Sequence, residues 1–300
     1  MREQAPMASV VRGAPAVPPR HIGAGIGALV GTGALHVALV LFALLQLFPL
    51  VWVFVYSLQG SGDLFGNDLL RLPDDPQWNN YARAWTDGKV VRYGLNSIIV
   101  VTASTAASTF LSFCMGYAIA RMRWRWKPVA LGAIAMGMVV PIHATLLPNF
   151  MWFGLFGLID TRVGLIIPYV AFTLSFNTLI YAGHFRNLPA SLEEAALLDG
   201  ASWPRILWSI VAPLAAPATV TVAVMTFLTN WNEFIMANTY LASDDLRTLP
   251  FSIIRFQGQY SADYAVQFAC MTIVALPALA LYLFFSKHIM AGATAGAVKE

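Results

Sequence analysis

Long apolar stretches alternate with short charged ones along this chain. Windows free of Asp, Glu, Lys and Arg that are long enough to cross a bilayer occur at 21–62, 93–120, 128–159, 163–185, 206–232 and 264–286. The next candidate, 234–243, is too short. A hydrocarbon core about 30 Å thick takes roughly 20 apolar residues of helix. Lipid offers backbone groups no hydrogen-bond partners, so each window is expected to be helical. The pattern therefore predicts an all-α membrane protein with six transmembrane helices. The first window holds room to spare. Its early part, "HIGAGIGALVGTGALH", is rich in glycine, so one span is placed near 35–58, with the glycine-rich stretch as a cytoplasmic lead-in. The run is longer than a signal-peptide core, which favours an uncleaved anchor.

Charge orients the spans. Six spans put both ends of the chain on one side, and that side holds 11 of the 18 Lys and Arg residues. Four of these fall in the tight turn "RMRWRWK", at Arg121, Arg123, Arg125 and Lys127. Cytoplasmic loops are enriched in Lys and Arg, so both termini and this turn are expected in the cytoplasm. The formal net charge of +3 then reflects topology, and no nucleic-acid partner is expected.

Composition agrees with a lipid solvent. The chain is 58% hydrophobic and 11% charged, against about a quarter charged in soluble domains. Mean hydropathy is +0.65. Cys114 and Cys270 fall inside spans and read as small apolar residues, and no Cys/His spacing points to a metal. No cofactor is expected. No span has a charged residue in its interior, so a proton-coupled carrier is disfavoured. No phosphate-binding glycine loop occurs either, so energy for uphill movement has to come from a partner. Pro49, Pro141, Pro148, Pro168, Pro213, Pro217 and Pro277 place proline in five of the six spans, which predicts bent helices.

Polar uncharged residues gather at membrane depth: His143, Thr145 and Asn149, then Thr173, Ser175, Asn177 and Thr178, then Thr226, Thr229, Asn230 and Asn232. They have two readings, interhelical hydrogen bonding or a pathway for a polar solute. Asn177, Thr178 and Asn230 are the candidate solute-pathway residues.

Between the fourth and fifth spans lies "LPASLEEAALLDGASWPRILWSIVAPLAAP", Leu188 to Pro217. Ser191 and Glu194 have capping-box spacing, the acids suit a helix N-terminus, and Gly200 is a natural stop. The spacing predicts a two-turn helix over about 192–199, with Pro204 in the first turn of the next helix. So short a helix is marginal alone, so neighbouring loops or a groove on another protein must hold it.

This segment resembles the EAA motif of binding-protein-dependent ABC importer permeases. Glu194, Ala195, Ala196, Gly200, Ile210 and Pro213 fall at matching positions, while Ala212 stands where the pattern has Leu. "NSIIVVTAST", "GYAIAR", "NWNEFIMA" and the tail "HIMAGATAGAVKE" are similar to the carbohydrate (maltose-type) branch, in particular the second permease of its pair. The resemblance covers roughly 40–300 and leaves 1–34 as a variable cytoplasmic segment. It implies a six-span permease domain over 35–300 with a cytoplasmic coupling loop at 186–205. It further implies a permease subunit, not an enzyme, that translocates a sugar or sugar-like solute. Implied partners are a homologous permease, two cytoplasmic ATP-binding subunits, an extracytoplasmic solute-binding protein, a sugar substrate and the lipid bilayer. Glu193, Glu194, Ala195, Ala196, Asp199 and Gly200 would couple to the ATPase. Loops 59–92, with Trp78, Tyr81 and Trp85, and 233–263 would receive the binding protein. The alternatives are a self-sufficient secondary carrier for a polar neutral solute, which needs matched internal repeats, and a membrane-embedded enzyme, which needs clustered ionisable groups.

Overall fold

The computed structural model describes residues 24–60, 72–258 and 262–295; expectations that fall on 1–23, 61–71 and the 296–300 end of the tail lie outside the described residues. The helices in order are α1 (Ala24–Ser57), α2 (Asn79–Thr86), α3 (Val90–Arg121), α4 (Lys127–Val139), α5 (Leu146–Leu155), α6 (Arg162–Asn187), α7 (Ser191–Leu198), α8 (Trp203–Ile206), α9 (Ala212–Leu214), α10 (Ala216–Trp231), α11 (Ile235–Tyr240), α12 (Phe251–Ile254) and α13 (Tyr264–Ala295). Pairing between strands is confined, among the described residues, to one isolated bridge between Gln257 and Ala262.

Among the described residues, four segments are long and apolar enough to cross a bilayer: Gly33–Ser57, Val90–Arg121, Arg162–Asn187 and Tyr264–Ser286. The two remaining windows each hold a bent pair. Lys127–Val139 meets Ile142–Leu155 at 96°, and Trp203–Leu214 meets Ala216–Trp231 at 74°. With each pair counted as one span the number is six, as the charge-free windows predict.

Proline explains both bends. Pro141 cannot donate to the helix ladder, and the residue before it, Val140, is pushed to extended backbone (ψ 116°). Pro213 and Pro217 flank the break at Ala215, and a π-turn at Leu207–Val211 precedes them. Pro49, Pro168 and Pro277 instead sit inside unbroken helices. The expectation of bending in five spans thus narrows to sharp breaks in two.

Clustering of contacts divides the chain at Leu50 into two units. The first is the N-terminal run of α1. It is helical from Ala24, so the glycine-rich stretch expected as a lead-in continues the helix upstream of 35. Each glycine costs a helix only about 1 kcal/mol relative to alanine.

The second unit is built on α3 and α6. The buried face of α3 carries Ser97, Val100, Val101, Ser104, Ser108, Ser112, Phe113, Gly116 and Tyr117 at three- and four-residue spacing. Small residues on one stripe let two backbones approach in lipid, where van der Waals contact replaces the hydrophobic drive. At Gly116 the two backbones come close: a Cβ there would lie 2.6 Å from the Tyr181 Cβ and 3.1 Å from the Ala182 nitrogen. Cys114 and Cys270 are free thiols, the latter buried.

At the N-terminal end of α3 a polar clasp fixes the segment after α11. The Asp244 carboxylate accepts hydrogen bonds from Lys89, Tyr93 and Arg255. Arg92 pairs with Asp245 at 2.6 Å, and the Asn96 amide donates to the carbonyls of Asp245 and Arg247 at 2.8 and 3.0 Å. The bonds from Lys89 first, then Tyr93, hold the Asp244 carboxyl down at about 2. Asp160, at φ 60°, accepts the backbone N–H of Ala242 and Ser243 at 3.0 and 2.8 Å, and the Ser243 hydroxyl also lowers its pKa.

Candidate functional site

The segment between α6 and α8 lies at the other end of α3. Leu188, extended ahead of Pro189, ends α6. Then α7 covers Ser191–Leu198, one residue earlier than expected. The expected capping box is absent. Ala190, already in helical backbone, occupies the N-cap, and no side chain caps the helix. The helix begins at Ser191 itself, so Ser191 lies inside the first turn and not at the N-cap position the box requires. Glu193 turns towards α3, where the Arg121 Nε lies 3.1 Å from its Oε1 and the Tyr117 hydroxyl donates to its Oε2 at 3.0 Å. The Arg121 Nε is near enough for an ion pair but out of line for a hydrogen bond. The same guanidinium donates through its Nη2 to the carbonyl of Leu188.

The C-terminus of α7 follows the expectation closely. Gly200 has φ +79°, its N–H bonds the Leu197 carbonyl at 3.0 Å, and the Ala201 N–H bonds the Ala196 carbonyl at 2.9 Å. This is a Schellman ending, in which a left-handed residue closes the last turn. Pro204 lies in the first turn of α8, as predicted.

The six coupling candidates divide between two faces. Ala196 is buried in a cluster with Tyr117, Phe185 and Ile206, and Glu193 is half-buried in its clasp. Glu194, Ala195, Asp199 and Gly200 are exposed, and Leu198 beside them is 90% exposed. One face of α7 thus holds it to its own chain and the other presents acids and a bare leucine.

The candidate pathway residues also divide. Asn177 and Thr178 are buried among α3, α6 and α10. The Asn177 amide donates to the Ser108 and Thr226 hydroxyls at 3.0 and 2.8 Å, Ser108 meets Thr173 at 2.8 Å, and Thr178 donates to the Leu174 carbonyl. Asn230 donates to the Ser104 hydroxyl at 3.1 Å and lines a cavity of about 330 Å³. Thr173, Thr229, Tyr169 and Glu233 line the same cavity.

Sequence reasoning missed Glu233, which falls one residue beyond the end of a charge-free window. Tyr169 donates to its Oε2 at 2.6 Å, and it accepts the backbone N–H of Met236 at 2.8 Å and of Ala237 at 3.2 Å. It therefore caps α11 while facing the cavity. The "NWNEFIMA" stretch carried the signal, but as a resemblance only. Arg121 and Tyr117 were also missed; Arg121 counted only towards topology. Of the loop aromatics, Trp78 and Trp85 are exposed, and the Tyr81 hydroxyl meets that of Ser57 at 2.7 Å. No group of three or more His, Cys, Asp or Glu residues suited to a metal occurs among the described residues.

Residues 108–290 match the protein family described as "Binding-protein-dependent transport system inner membrane component". The chain is 31% identical to the diacetylchitobiose uptake system permease protein NgcG of Streptomyces coelicolor over 87% of each chain. It is 31% identical to the trehalose/maltose transport system permease protein MalG of Thermococcus litoralis, over 88% of this chain and 96% of the relative. Its fold is similar to a chain of a bacterial ABC transporter involved in the import of the acidic polysaccharide alginate: TM-score 0.75, 24% identity, 90% of this chain and 99% of that one covered.

Proposed function

The chain belongs to the family of binding-protein-dependent transport system inner membrane components, and from that premise we propose that it translocates a sugar or sugar-like solute as one subunit of an ATP-driven importer. It is a multi-pass protein of the cytoplasmic membrane. In this reading residues 35–300 form the permease domain, 1–34 is a variable cytoplasmic segment, and both termini and α7 face the cytoplasm. The chain carries no reaction of its own. It pairs with a homologous permease, two ATP-binding subunits serve the pair, and a binding protein delivers solute at the Asp244 end. The relatives' names, diacetylchitobiose and trehalose/maltose, support carbohydrate as the cargo.

The observation that carries the reading is the outward face of α7. An eight-residue helix set beyond the spans presents Glu194, Ala195, Leu198 and Asp199, with Leu198 90% exposed. That face suits a cleft on a cytoplasmic partner, in the manner of a helix laid in a groove. Substituting Leu198→Asp together with Glu194→Lys is expected to lower co-purification of the ATP-binding subunit roughly tenfold or more, the scale of a lost anchor contact. Unchanged recovery from membranes holding normal amounts of the variant would remove α7 as the docking element.

For the solute, the reading assigns the cavity residues Asn230, Thr229 and Thr173 to the pathway. Asn177 and Thr178 then serve to hold α3, α6 and α10 together, since they bond within the bundle and do not line the cavity.

A further inference from the structure

The grip on α7 from inside the chain suggests more than support. Three contacts converge on the last turn of α3. The Arg121 guanidinium spans the Glu193 carboxylate and the Leu188 carbonyl, and Tyr117, one turn earlier, donates to the other oxygen of Glu193. Both charged side chains are shielded, at 16% and 12% exposure, so water and salt screen the pair less than they would a surface pair. The clasp also fixes the start of α7, which has no capping side chain of its own. Across the clasp, α3 runs unbroken for 32 residues, from Val90 to Arg121. Its length passes Ser104, which bonds Asn230 beside the cavity, and reaches Tyr93, which bonds Asp244 at the far end. The route from α7 through α8 is different in kind: it meets a π-turn at Leu207–Val211 and a 74° break before α10. An unbroken helix transmits displacement, whereas a proline-broken one absorbs it.

We infer that Arg121 is the positioning residue that makes α7 and α3 one rigid lever, so that displacement of α7 reaches the cavity through α3 and not through the broken α8–α10 path. This rests on the proposed docking of an ATP-binding subunit on the outer face of α7. It assigns Glu193 a role distinct from Glu194: Glu193 transmits within the chain, and Glu194 meets the partner.

The test uses the complete importer, purified and reconstituted with its binding protein and with maltose and trehalose as probe solutes. Three readouts are taken: recovery of the ATP-binding subunit, basal ATP hydrolysis, and the stimulation of hydrolysis by loaded binding protein. Arg121→Gln is expected to leave the first two at wild-type level and to cut the stimulation roughly 5-fold or more, the lower edge of ordinary coupling between sites. The charge swap Arg121→Glu with Glu193→Arg is expected to restore much of it, which a loss of packing alone would not allow. Tyr117→Phe keeps volume, removes one bond and gives a smaller loss in the same readout; it carries the test if Arg121→Gln fails to insert. Wild-type stimulation in Arg121→Gln or, failing its insertion, in Tyr117→Phe overturns the lever, as does a variant in which stimulation and recovery of the ATP-binding subunit are both lost. A wild-type chain that recovers no ATP-binding subunit overturns instead the importer reading on which the lever stands.

Discussion

At the scale of single residues, side chains with similar sequence credentials do different work because of what they meet. Glu193 and Glu194 are neighbours, yet one is drawn into the chain by Arg121 and Tyr117 while the other stays in water. Asn177 and Asn230 both lie at membrane depth, yet only Asn230 borders the cavity. Asp244 shows what a satisfied carboxylate contributes. Its folded pKa of about 2 lies below the usual 3.8 because Lys89 and Tyr93 donate to the ionised form. A depressed carboxyl stabilises the fold fully above its unfolded pKa and ceases to do so as pH falls through the folded one. Asp244→Asn is therefore expected to lower thermal stability in detergent at neutral pH, on the order of 1 kcal/mol once screening of this partly exposed group is allowed for. The gap to wild type should narrow between about pH 4 and pH 2. A gap that is constant over that range would assign the loss to shape and not to charge.

At the scale of elements, the clearest example is the ending of α7. Gly200 has open space around its missing Cβ, so bulk alone is not the constraint there; its φ of +79° is. A β-branched residue in the left-handed region costs about 1–2 kcal/mol, whereas Asn tolerates it. Gly200→Val is expected to reduce solute-stimulated ATP hydrolysis several-fold at equal membrane levels, and Gly200→Asn to retain most of it. Equal loss in both variants would shift the cause from backbone conformation to contact with the partner. This ending was legible in the sequence because it depends on local spacing: Gly200 and Pro204 mark the stop and the restart. The start of α7 was not legible, because Ser191 and Glu194 have the spacing of a cap while the helix begins at Ser191 itself, behind Ala190 in helical backbone, and its grip comes from Arg121 on Glu193, a partner distant in sequence. The same distinction separates the spans. Charge-free length revealed all six windows, but proline count alone did not distinguish Pro168, inside a continuous α6, from Pro141, at a 96° break. That difference depends on whether neighbouring helices hold the ladder together, which is a tertiary matter.

At the scale of the whole molecule, α3 joins two ends with opposite characters. One end is a clasp of Asp244, Asp245, Lys89, Arg92 and Arg255; the other carries α7. Between them lies a cavity lined by Asn230 and Glu233, close to a network of hydroxyls and amides. Glu233 ends a charge-free window by being charged, so the window pattern could not show that its three donors bring it to the cavity. The proposed subunit moves solute only when an ATP-binding partner moves α7; the rival is a carrier that works alone. The measurement that separates them most directly is uptake of labelled maltose and trehalose into proteoliposomes, with this chain alone and with its full set of partners. No uptake is expected by the chain alone under proton or sodium gradients, and uptake by the complete assembly is expected only with ATP inside and binding protein outside. Gradient-driven uptake by the chain alone would contradict the importer reading.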